Sequence, residues 1–343
     1  IGKLLVTSEK YRGEATAVWH ANHFAIFKFG RNQHNRDAIG ILTETFAGAG
    51  GARTFADGVD VGGEVPNPIS RMANVETIEN MFPILYRYRR LRCDSGGAGY
   101  YRGGAGMELA IMPHDAPDDG IHYVVSGKGS AFPMSEGLAG GYPGAPNVYL
   151  WHRRAANKMP KDNQSISAES VDWGVFPLMG DDTLEVRWNG GGGVGDPLLR
   201  SMHAVLADVE GGLVSSEAAA AIYGVVIDKA TIDIVATKVL RTSLLSARVD
   251  GATADKAPTG GPIPMRFDHV DGVTSVSCAN CDQLLADGGE AWKAKLAPID
   301  SKMNEIIVAY TTIEGLMLRQ YACPRCATLL DSETVYGDDP PLF

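Results

Sequence analysis

Residues 92–106 read Arg-Cys-Asp-Ser-Gly-Gly-Ala-Gly-Tyr-Tyr-Arg-Gly-Gly-Ala-Gly, and six of these fifteen residues are glycine. Glycine is unfavourable inside helices and strands, and it supplies the positive-φ positions that tight connections need. Two runs rich in apolar and β-forming residues, Ile84–Leu91 and Met107–Met112, flank the stretch. This arrangement predicts two strands that are joined by a glycine-rich connection.

Similar runs recur on either side over residues 1–195, where clusters of Gly, Pro, Asp and Asn separate them. The further β-type runs are Phe24–Phe29, Ile39–Thr45, Ile121–Ser126 and Thr183–Trp188. Short runs at this spacing predict a largely β domain. Residues 152–182 show no clear period, and we expect a loop-rich segment there.

The pattern changes at Asp196-Pro197, because Asp is a good N-cap and Pro is favoured at the first helical position. A helical stripe follows and ends at Gly211-Gly212; its apolar members are Leu198, Leu199, Met202, Val205, Leu206 and Val209. We predict a second, Ala-rich helix from Ser215 to about Gly224 and a third from about Ile232 to Ala247. Residues 250–265 hold three prolines and three glycines, which predicts a linker.

The C-terminal part carries two matched pairs, Cys278-Ala-Asn-Cys281 and Cys323-Pro-Arg-Cys326, with four of the five cysteines of the chain. A Cys-x-x-Cys turn directs two thiolates to one point, and two such turns complete the tetrahedral S₄ site that zinc prefers. Four sulfur ligands leave no open position, so the predicted Zn²⁺ is structural. The alternatives are four reduced cysteines without a metal, or a redox dithiol, for which no thioredoxin-like βαβ pattern is present.

These observations predict an α+β protein with a β-rich main domain, a small helical segment and a C-terminal zinc-ribbon-like domain. The main domain spans residues 1–249 and is β-rich to about residue 195 and helical over 196–249. The linker spans 250–265, and the four-cysteine domain spans 266–343.

Composition narrows the class of protein. With 343 residues, 45% hydrophobic and 21% charged, the chain is globular and long enough for about two domains. The net charge of −10 disfavours nucleic acid and anionic membranes as partners. No apolar run approaches the ~20 residues of a membrane span, and no signal peptide is visible. Because the cysteines form metal-type pairs, we expect a reducing, cytoplasmic location.

The glycine runs invite a nucleotide-binding interpretation, since backbone N–H groups can surround an anion. The runs Gly48–Gly51, Gly96–Gly99 and Gly190–Gly195 match neither the phosphate loop that ends in Gly-Lys-Ser/Thr nor a Gly-x-Gly-x-x-Gly turn between a strand and a helix. We therefore interpret these glycines as tight turns of a β domain.

Histidines and the fifth cysteine are weaker candidates. His20 and His23 have a His-x-x-His spacing, with His34 eleven residues on, and the pair can converge on a metal or serve ordinary polar packing. His114 and His122 lie beside turn signals. Cys93 would be a nucleophile only with a lowered pKa. The adjacent Asp94 is expected to raise that pKa, so we interpret Cys93 as a small buried residue.

Several of these stretches resemble the hydantoinase B family, and together they cover about residues 20–230. The segments that carry the resemblance are Thr43–Arg53, Asp57-Gly58, Pro66–Pro68, Asn74–Glu76, Arg92–Gly106, Gly190–Pro197 and Leu213–Val226. Residues 92–106 are the most specific, because they are similar to the family's Asp-Ser-Gly-Gly-Ala-Gly-x-x-Arg-Gly-Gly run.

The family includes the B components of ATP-dependent hydantoinases and 5-oxoprolinases and subunits of acetone and acetophenone carboxylases. These enzymes use ATP to activate an amide, a ketone or bicarbonate by phosphorylation. The resemblance implies that ATP and Mg²⁺ or Mn²⁺ bind to a partner, a hydantoinase A-like subunit with a kinase-like fold. It also associates a zinc-binding cysteine module with the ketone carboxylases. We therefore expect a subunit of an acetophenone carboxylase-type complex that adds bicarbonate-derived carbon to an enolised ketone.

Two alternatives stay open, a B component of an ATP-dependent cyclic amidase and a non-catalytic assembly subunit. The family's metal-linked motif, of the type Asn-Asp-Pro-Tyr-x-Gly-Gly-x-His, belongs to an N-terminal region that this chain does not match. No catalytic residue can therefore be carried over. The chain begins at Ile1 without Met, and the unmatched half is expected on a separate chain, on a cleaved segment or elsewhere on a longer polypeptide.

Overall fold

The computed structural model describes residues 1–18, 25–41, 47–63, 72–116, 121–126, 129–153, 167–171, 173–249, 260–306, 315–337 and 339–341. Strands dominate: β1 (Ala25–Arg31), β2 (Asp37–Ile41), β3 (Ile84–Leu91), β4 (Met107–Pro113), β5 (Ile121–Ser126), β6 (Val148–Arg153), β7 (Ser167–Ser170), β8 (Trp173–Leu178), β9 (Thr183–Arg187), β10 (Ile227–Asp228), β11 (Thr231–Ile232), β12 (Met265–Val270), β13 (Val273–Cys278), β14 (Leu284–Ala286), β15 (Ile299–Lys302), β16 (Leu316–Ala322) and β17 (Leu329–Tyr336). The α-helices are α1 (Gly2–Leu5), α2 (Val75–Met81), α3 (Met202–Glu210), α4 (Ser216–Ala221), α5 (Ile234–Arg248) and α6 (Met303–Ile306). The predicted sheet-rich α+β class is confirmed.

Two antiparallel sheets pack face to face in the first half of the chain. Their strand orders are β2-β1-β5-β8 and β3-β4-β9-β6-β7. Side chains alternate between the two faces of a strand, and the inward positions form one buried core that includes Tyr123 and Leu178 from the first sheet and Leu109 and Val186 from the second. Trp151 contacts Phe176 edge to face across this core, with ring centroids 5.2 Å apart. The two sheets therefore form a sandwich.

The expectation of a loop-rich segment at residues 152–182 was wrong for part of that range. β7 and β8 lie there, and each is the outermost strand of its sheet. β7 consists of small and polar residues, and β8 contains Gly174 and Pro177, which weaken the strand signal in the sequence. Proline is accepted in an edge strand because one side of that strand lacks a ladder partner.

One end of the sandwich is closed by extended, glycine-rich segments, which we call the glycine bundle: residues 47–63, 92–106, 135–147 and 188–195. Backbone hydrogen bonds run from one segment to the next. Gly97 N donates to Gly191 O at 2.8 Å, Gly191 N donates to Gly104 O at 3.0 Å, and Gly104 N donates to Gly50 O at 2.9 Å. The bundle is thus held by main-chain contacts between segments that are far apart in the sequence.

The tight-turn interpretation of the three glycine runs was wrong. Among the glycines of those runs, positive φ occurs at Gly195 alone, where φ is 78°. The others are required because neighbouring backbones come too close for a side chain. A Cβ on Gly103 would overlap the backbone of Gly191, and one on Gly190 would overlap the Ser95 carbonyl. Glycine here permits close approach.

The helical segment follows the predicted order with one break. Pro197–Leu199 forms a 3₁₀ turn, with Asp196 accepting a hydrogen bond from Leu198 N at 2.9 Å, and α3 then starts anew at Met202. Ser215 caps α4, and Asp233 caps α5. Over the described ranges, no helix has both the length and the apolar content needed to cross a bilayer.

The C-terminal strands form two three-stranded sheets, β12-β13-β14 and β15-β16-β17. The second packs on the helical segment and the glycine bundle through a shared core that includes Leu318, Leu329, Tyr142 and Val205. Most of the predicted linker lies outside the described residues, and 260–264 has no helix or strand. The predicted domain boundaries stay a prediction.

Candidate metal centre

The first cysteine pair lies in a tight turn between β13 and β14. Cys278 N donates to Gln283 O at 2.9 Å, and Asp282 N donates to Cys278 O at 2.9 Å. Asp282 is left-handed, with φ of 57°. This turn brings the thiols of Cys278 and Cys281 to the same side.

The second pair repeats the same geometry between β16 and β17. Cys323 N donates to Thr328 O at 2.9 Å, and Ala327 N donates to Cys323 O at 2.9 Å. Ala327 also has φ of 57° and occupies the position that Asp282 has in the first turn. The local backbone, and not only the spacing of the cysteines, is therefore duplicated.

The two turns face each other, and their four sulfur atoms all lie within 4.8 Å of one another. Cys278 Sγ is 3.6 Å from Cys326 Sγ, and Cys281 Sγ is 3.6 Å from Cys323 Sγ. Both distances are far longer than a disulfide bond. Four sulfurs placed 2.3 Å from a central ion stand about 3.8 Å apart in a tetrahedron. The thiols thus lie close enough to hold one metal ion, and a thiolate-ligated ion such as Zn²⁺ fits this donor set.

The electrostatics of the four thiols also fit a cation. Hydrogen bonds from Cys278 and Cys323 hold the pKa of Cys326 far below its usual range. The hydrogen bonds that Cys278 makes with Cys323 and Cys326 raise its own pKa far above the usual range. One thiolate therefore forms readily, while further thiolates repel it unless a positive ion lies between them.

Apolar residues and short polar contacts surround the sulfurs. Met265, Val276, Leu285 and Leu330 pack around them in one buried cluster. The two turns are also joined directly, since Asn280 Nδ2 donates to Thr328 Oγ1 at 2.8 Å and Arg325 Nη1 donates to the Cys281 carbonyl at 3.2 Å. The surroundings keep the turns in register with each other.

The second turn is tied to the helical segment through Asp196, which is fully buried. Asp196 accepts from Leu329 N at 2.9 Å and forms an ion pair with Arg248, at 2.6 Å to Nη1 and 3.0 Å to Nη2. Arg248 Nη1 also donates to the Ala327 carbonyl at 3.1 Å. The sequence revealed the capping role of Asp196 but not this contact, because its partners lie 52 and 133 residues away.

The remaining histidine candidates that the structure describes are not gathered into a second centre. His20 and His23 lie outside the described residues. His34 is exposed in the turn between β1 and β2, and His114 and His122 lie on or beside strands of the sandwich. Within the described ranges, the four cysteines form the one group of metal-binding side chains that satisfies the distance requirement.

Cys93 and the glycine runs can be judged directly. Cys93 is exposed, so the interpretation of Cys93 as a small buried residue was wrong. Desolvation of the thiol and the charge of Asp94 raise the pKa of Cys93 to about 11, which agrees with the expected direction and leaves the thiol protonated. In the glycine runs, the N–H groups of Gly50, Gly97 and Gly191 donate to backbone carbonyls of the bundle. These groups are therefore committed to the fold and not free to bind a phosphate.

Sequence reasoning missed a buried ion network beside the glycine bundle. Arg200 binds Asp57 with both terminal nitrogens, at 2.7 Å each, and Asp208 at 2.8 Å. Arg102 approaches Asp208 at 3.3 Å and Asp60 at 3.2 Å. Burial opposes ionisation, but Arg200 still holds the pKa of Asp57 below its ordinary value. The network joins residues 57–60, 102 and α3, and no local motif announces it.

A second missed group crosses the outer face of the five-stranded sheet. Glu185 accepts from Tyr88 at 2.9 Å and from Arg187 at 2.7 Å, and it lies 2.7 Å from His152 Nε2. Arg90 pairs with Glu108 at 2.6 Å on the same face. We call this set the charged face.

Sequence comparison with known proteins identifies the family of this chain. A model of the hydantoinase B/oxoprolinase family matches residues 6–197. The chain is 29% identical over 231 residues to the acetone carboxylase alpha subunit of Xanthobacter autotrophicus, which covers 58% of this chain and 28% of that protein. It is 32% identical over 217 residues to the caprolactamase subunit beta of Pseudomonas jessenii, and the alignment covers 62% of this chain and 36% of that protein. The acetophenone carboxylase delta subunit of Aromatoleum aromaticum is 27% identical over 222 residues, covering 59% and 32%.

Solved structures agree with the sequence relatives. A nucleotide-free acetone carboxylase superimposes with a TM-score of 0.59 at 26% identity, over 70% of this chain and 34% of that one. The ATP-dependent caprolactamase of Pseudomonas jessenii superimposes with a TM-score of 0.53 at 29% identity, over 68% of this chain and 40% of that one. The chain spans about a third of the length of the curated relatives it matches. Because the family model covers more than half of its residues, the chain belongs to the hydantoinase B/oxoprolinase family.

Proposed function

We propose that the chain is one subunit of a multi-subunit, ATP-dependent enzyme that carboxylates a ketone. The observation that carries this proposal is the likeness in both sequence and fold to acetone carboxylase, whose alpha subunit aligns over 231 residues. The likeness to an acetophenone carboxylase subunit points to the same reaction class. In this reaction ATP activates the substrate and bicarbonate, and an enolate attacks the activated carbon.

The ATP site is assigned to a hydantoinase A-like partner with a kinase-like fold, together with its Mg²⁺ or Mn²⁺. This assignment is supported by the glycine bundle, where the N–H groups of Gly50, Gly97 and Gly191 already donate to backbone carbonyls. The role of this chain is then to build part of the wall of the reaction chamber and to dock the partner. The location of the complex is proposed to be the cytoplasm.

We assign Cys278, Cys281, Cys323 and Cys326 as the ligands of a structural Zn²⁺. The support is the duplicated turn geometry and the distance of at most 4.8 Å among the four sulfurs. A complete set of four thiolates leaves no position for substrate or water, so the ion would fix the two turns and take no part in the reaction. The association of such a module with ketone carboxylases favours the carboxylase over the amidase.

The second candidate is the B component of an ATP-dependent cyclic amidase. The caprolactamase beta subunit favours it, since its identity of 32% over 62% of this chain is as good as that of the carboxylase subunits. The two candidates differ in their need for bicarbonate, because an amidase adds water to a ring amide and gains no carbon.

The test is an assay of the complex that copurifies with the tagged chain. With ATP and ¹⁴C-bicarbonate, we expect label in a non-volatile acid when acetone or acetophenone is added, and no label without ATP. Opening of caprolactam or hydantoin in bicarbonate-free buffer would replace the carboxylase with the amidase. Neither activity in an intact complex would favour the remaining alternative, a subunit that serves assembly only.

A further inference from the structure

A cavity of about 370 Å³ lies between residues 131–136 and the C-terminal sheet. Ala131, Phe132 and Glu136 line one side, and Leu316, Thr334 and Tyr336 line the other. We call it the β17 cavity, because Thr334 and Tyr336 belong to that strand. Sites for small molecules have volumes of about 300–1,000 Å³, so this cavity has room for one small ligand.

The walls of the β17 cavity are largely apolar. Phe132 is 50% exposed and Tyr336 is 59% exposed, whereas Leu316 and Val335 are buried. Two exposed aromatic side chains on one cavity can contact the apolar body of a ligand, and the face of an aromatic ring also attracts a cation. The walls therefore suit a ligand that is apolar over most of its surface.

Two polar groups of the cavity lack the partners that such groups normally have. The hydroxyl oxygen of Thr334 is shielded from solvent and has no hydrogen-bond partner. The same residue favours the charged form of the neighbouring Glu136. Since nearly all buried polar atoms are hydrogen-bonded, an unpartnered hydroxyl that lines a cavity indicates a ligand with a donor group.

The carboxyl of Glu136 also lacks a counter-ion. Lys3 favours its charged form, but the ammonium groups of Lys3 and Lys293 each lie 2.7 Å from Asp331, and both also pair with Glu333. Two ammonium groups are thus shared by two carboxylates before Glu136 is counted. Burial of a carboxyl without a counter-ion raises its pKa, and the pKa of Glu136 is raised to about 7.

The charges of the lining limit the class of ligand. Asp339 is a second carboxyl on the cavity, and its described lining includes no Lys or Arg, which disfavours an anion. A divalent cation is also disfavoured, because within the described ranges neither carboxyl belongs to a group of three metal-binding side chains. A neutral apolar molecule would leave Thr334 and Glu136 without partners. An organic ammonium ion satisfies both of them.

We propose that the β17 cavity binds a small primary amine, whose ammonium group lies at Glu136 and Thr334 and whose apolar body lies between Phe132 and Tyr336. The ammonium group donates to the Thr334 hydroxyl and supplies the counter-ion that Glu136 lacks. The site is separate from the metal centre, and it does not depend on which reaction the proposed complex performs.

The test compares pentylamine with pentan-1-ol and pentanoate, which have similar apolar bodies but a neutral or an anionic end. Isothermal titration calorimetry is carried out at pH 8, without ATP or bicarbonate, on the complex that copurifies with the tagged chain. We expect the amine to bind at least tenfold more tightly than the alcohol, and pentanoate to show no binding. Glu136→Gln should weaken binding of the amine at least tenfold. Glu169→Gln is the matched control, because it removes an exposed carboxyl from β7, and it should bind the amine as the wild type does.

A second variant keeps the test decisive if Glu136→Gln alters the fold. Ala131 is exposed on the cavity, so Ala131→Phe narrows the cavity without a change of charge, and it should also weaken binding of the amine at least tenfold. Because the amine needs ionised Glu136, its affinity for the wild type should fall about tenfold from pH 8 to pH 6, with release of a proton on binding at pH 6.

Three results would overturn the proposal: equal affinity for amine and alcohol, binding of the amine that neither variant changes, or no binding of the amine. The outcome is independent of the proposed function. A complex that binds pentylamine but turns over neither ketone nor lactam would keep the amine site and sink the proposed function. An active complex that does not bind the amine would do the reverse.

Discussion

The glycine bundle and the metal centre are both built from short sequence motifs, but they use opposite means. In the bundle, the absence of side chains lets four backbone segments come into direct contact, as where Gly103 lies against Gly191. In the candidate metal centre, the side chains of four cysteines converge to within 4.8 Å of one another. The bundle therefore depends on close packing between backbones, whereas the candidate centre depends on four sulfur atoms and on the cation that they would hold.

The most extensive expected effect, loss of the whole fold, follows a substitution in the bundle. In Gly190→Ala, the added methyl group would overlap the carbonyl oxygen of Ser95, and this backbone group cannot rotate away as a side chain could. We expect a loss of more than about 4 kcal/mol in the free energy of unfolding, enough to prevent folding at 37 °C. Soluble yield and thermal unfolding measure it.

Gly13→Ala is the matched control, because an added Cβ there has no neighbour within 4 Å and its φ is not positive. Its stability should equal that of the wild type. A Gly190→Ala protein that unfolds at the same temperature as the control would show that the bundle is loosely packed, and the contrast with the metal centre would then fail.

Changes at the candidate metal centre should unfold a smaller part of the chain. Removal of metal by a chelator, or Cys323→Ser, is expected to unfold β12–β14, because this small sheet has little core of its own. Structural zinc contributes on the order of 10–16 kcal/mol in small zinc-finger peptides. Hydrogen exchange should rise in β12–β14 and remain slow in β4 and β9 of the sandwich. Elemental analysis should give one zinc per chain.

Cys93→Ser is the control for loss of a thiol, and it should leave both the metal content and the exchange pattern unchanged. A Cys323→Ser chain that keeps one equivalent of zinc, or wild-type protein purified without any metal, would contradict the assignment of the four ligands. Loss of slow exchange throughout the sandwich would show instead that the two regions unfold together.

The two regions also differ in what the sequence could predict. The grouping of the four cysteines follows from two local motifs, and the bounds of β3 and β5 follow from alternation within one strand. These signals are contained in a few consecutive residues. The glycine runs were misinterpreted as turns because close approach depends on which segments meet, and Gly97 meets Gly191 across 94 residues of sequence.

Missed polar contacts have the same origin. Asp196 was predicted as a cap from its neighbour Pro197, while its ion pair with Arg248 depends on how α5 packs. Arg200 and Asp57 are 143 residues apart. Edge strands such as β7 were missed for another reason, since a strand with one partner needs fewer β-forming residues. Features set by a few consecutive residues were predictable, and contacts between distant segments were not.

Asp196→Asn tests the connection between the two regions. The substitution keeps one capping oxygen but leaves the buried guanidinium of Arg248 without its counter-ion, which costs about 3–5 kcal/mol. We expect a lower unfolding temperature and faster exchange both in α5 and in the second cysteine turn. Chemical denaturation with hydrogen exchange measures both effects.

Asp233→Asn is a matched control, because Asp233 also caps a helix through Ala236 N but lies exposed at the start of α5. It should cost well under about 1 kcal/mol, since asparagine is itself a good N-cap. Equal losses for the two variants would show that Asp196 acts only as a cap and does not connect the metal centre to the helical segment.

The smallest effect concerns Glu136, which lies in the bundle and faces β17. Burial raises the pKa of Glu136 to about 7, although Thr334 and Lys3 favour its charged form and Asp331 opposes it. The folded protein therefore binds a proton that the unfolded chain releases near pH 4.5. Stability from this group is present below that range and declines as pH rises from about 4.5 to about 7.

Glu136→Gln should remove this decline, since the amide cannot ionise. We expect the variant and the wild type to differ least near pH 5, and the variant to gain about 2–3 kcal/mol relative to the wild type by pH 8. Urea denaturation at several pH values measures the difference. A gap that does not change with pH would mean that Glu136 ionises freely in the fold, and that the contact between the bundle and β17 is open to water. An ionised and hydrated Glu136 would show that the bundle, despite its close backbone packing, accepts a charged side chain where it contacts β17. The bundle and the candidate metal centre would then differ in how their backbones pack and not in whether they accept charge.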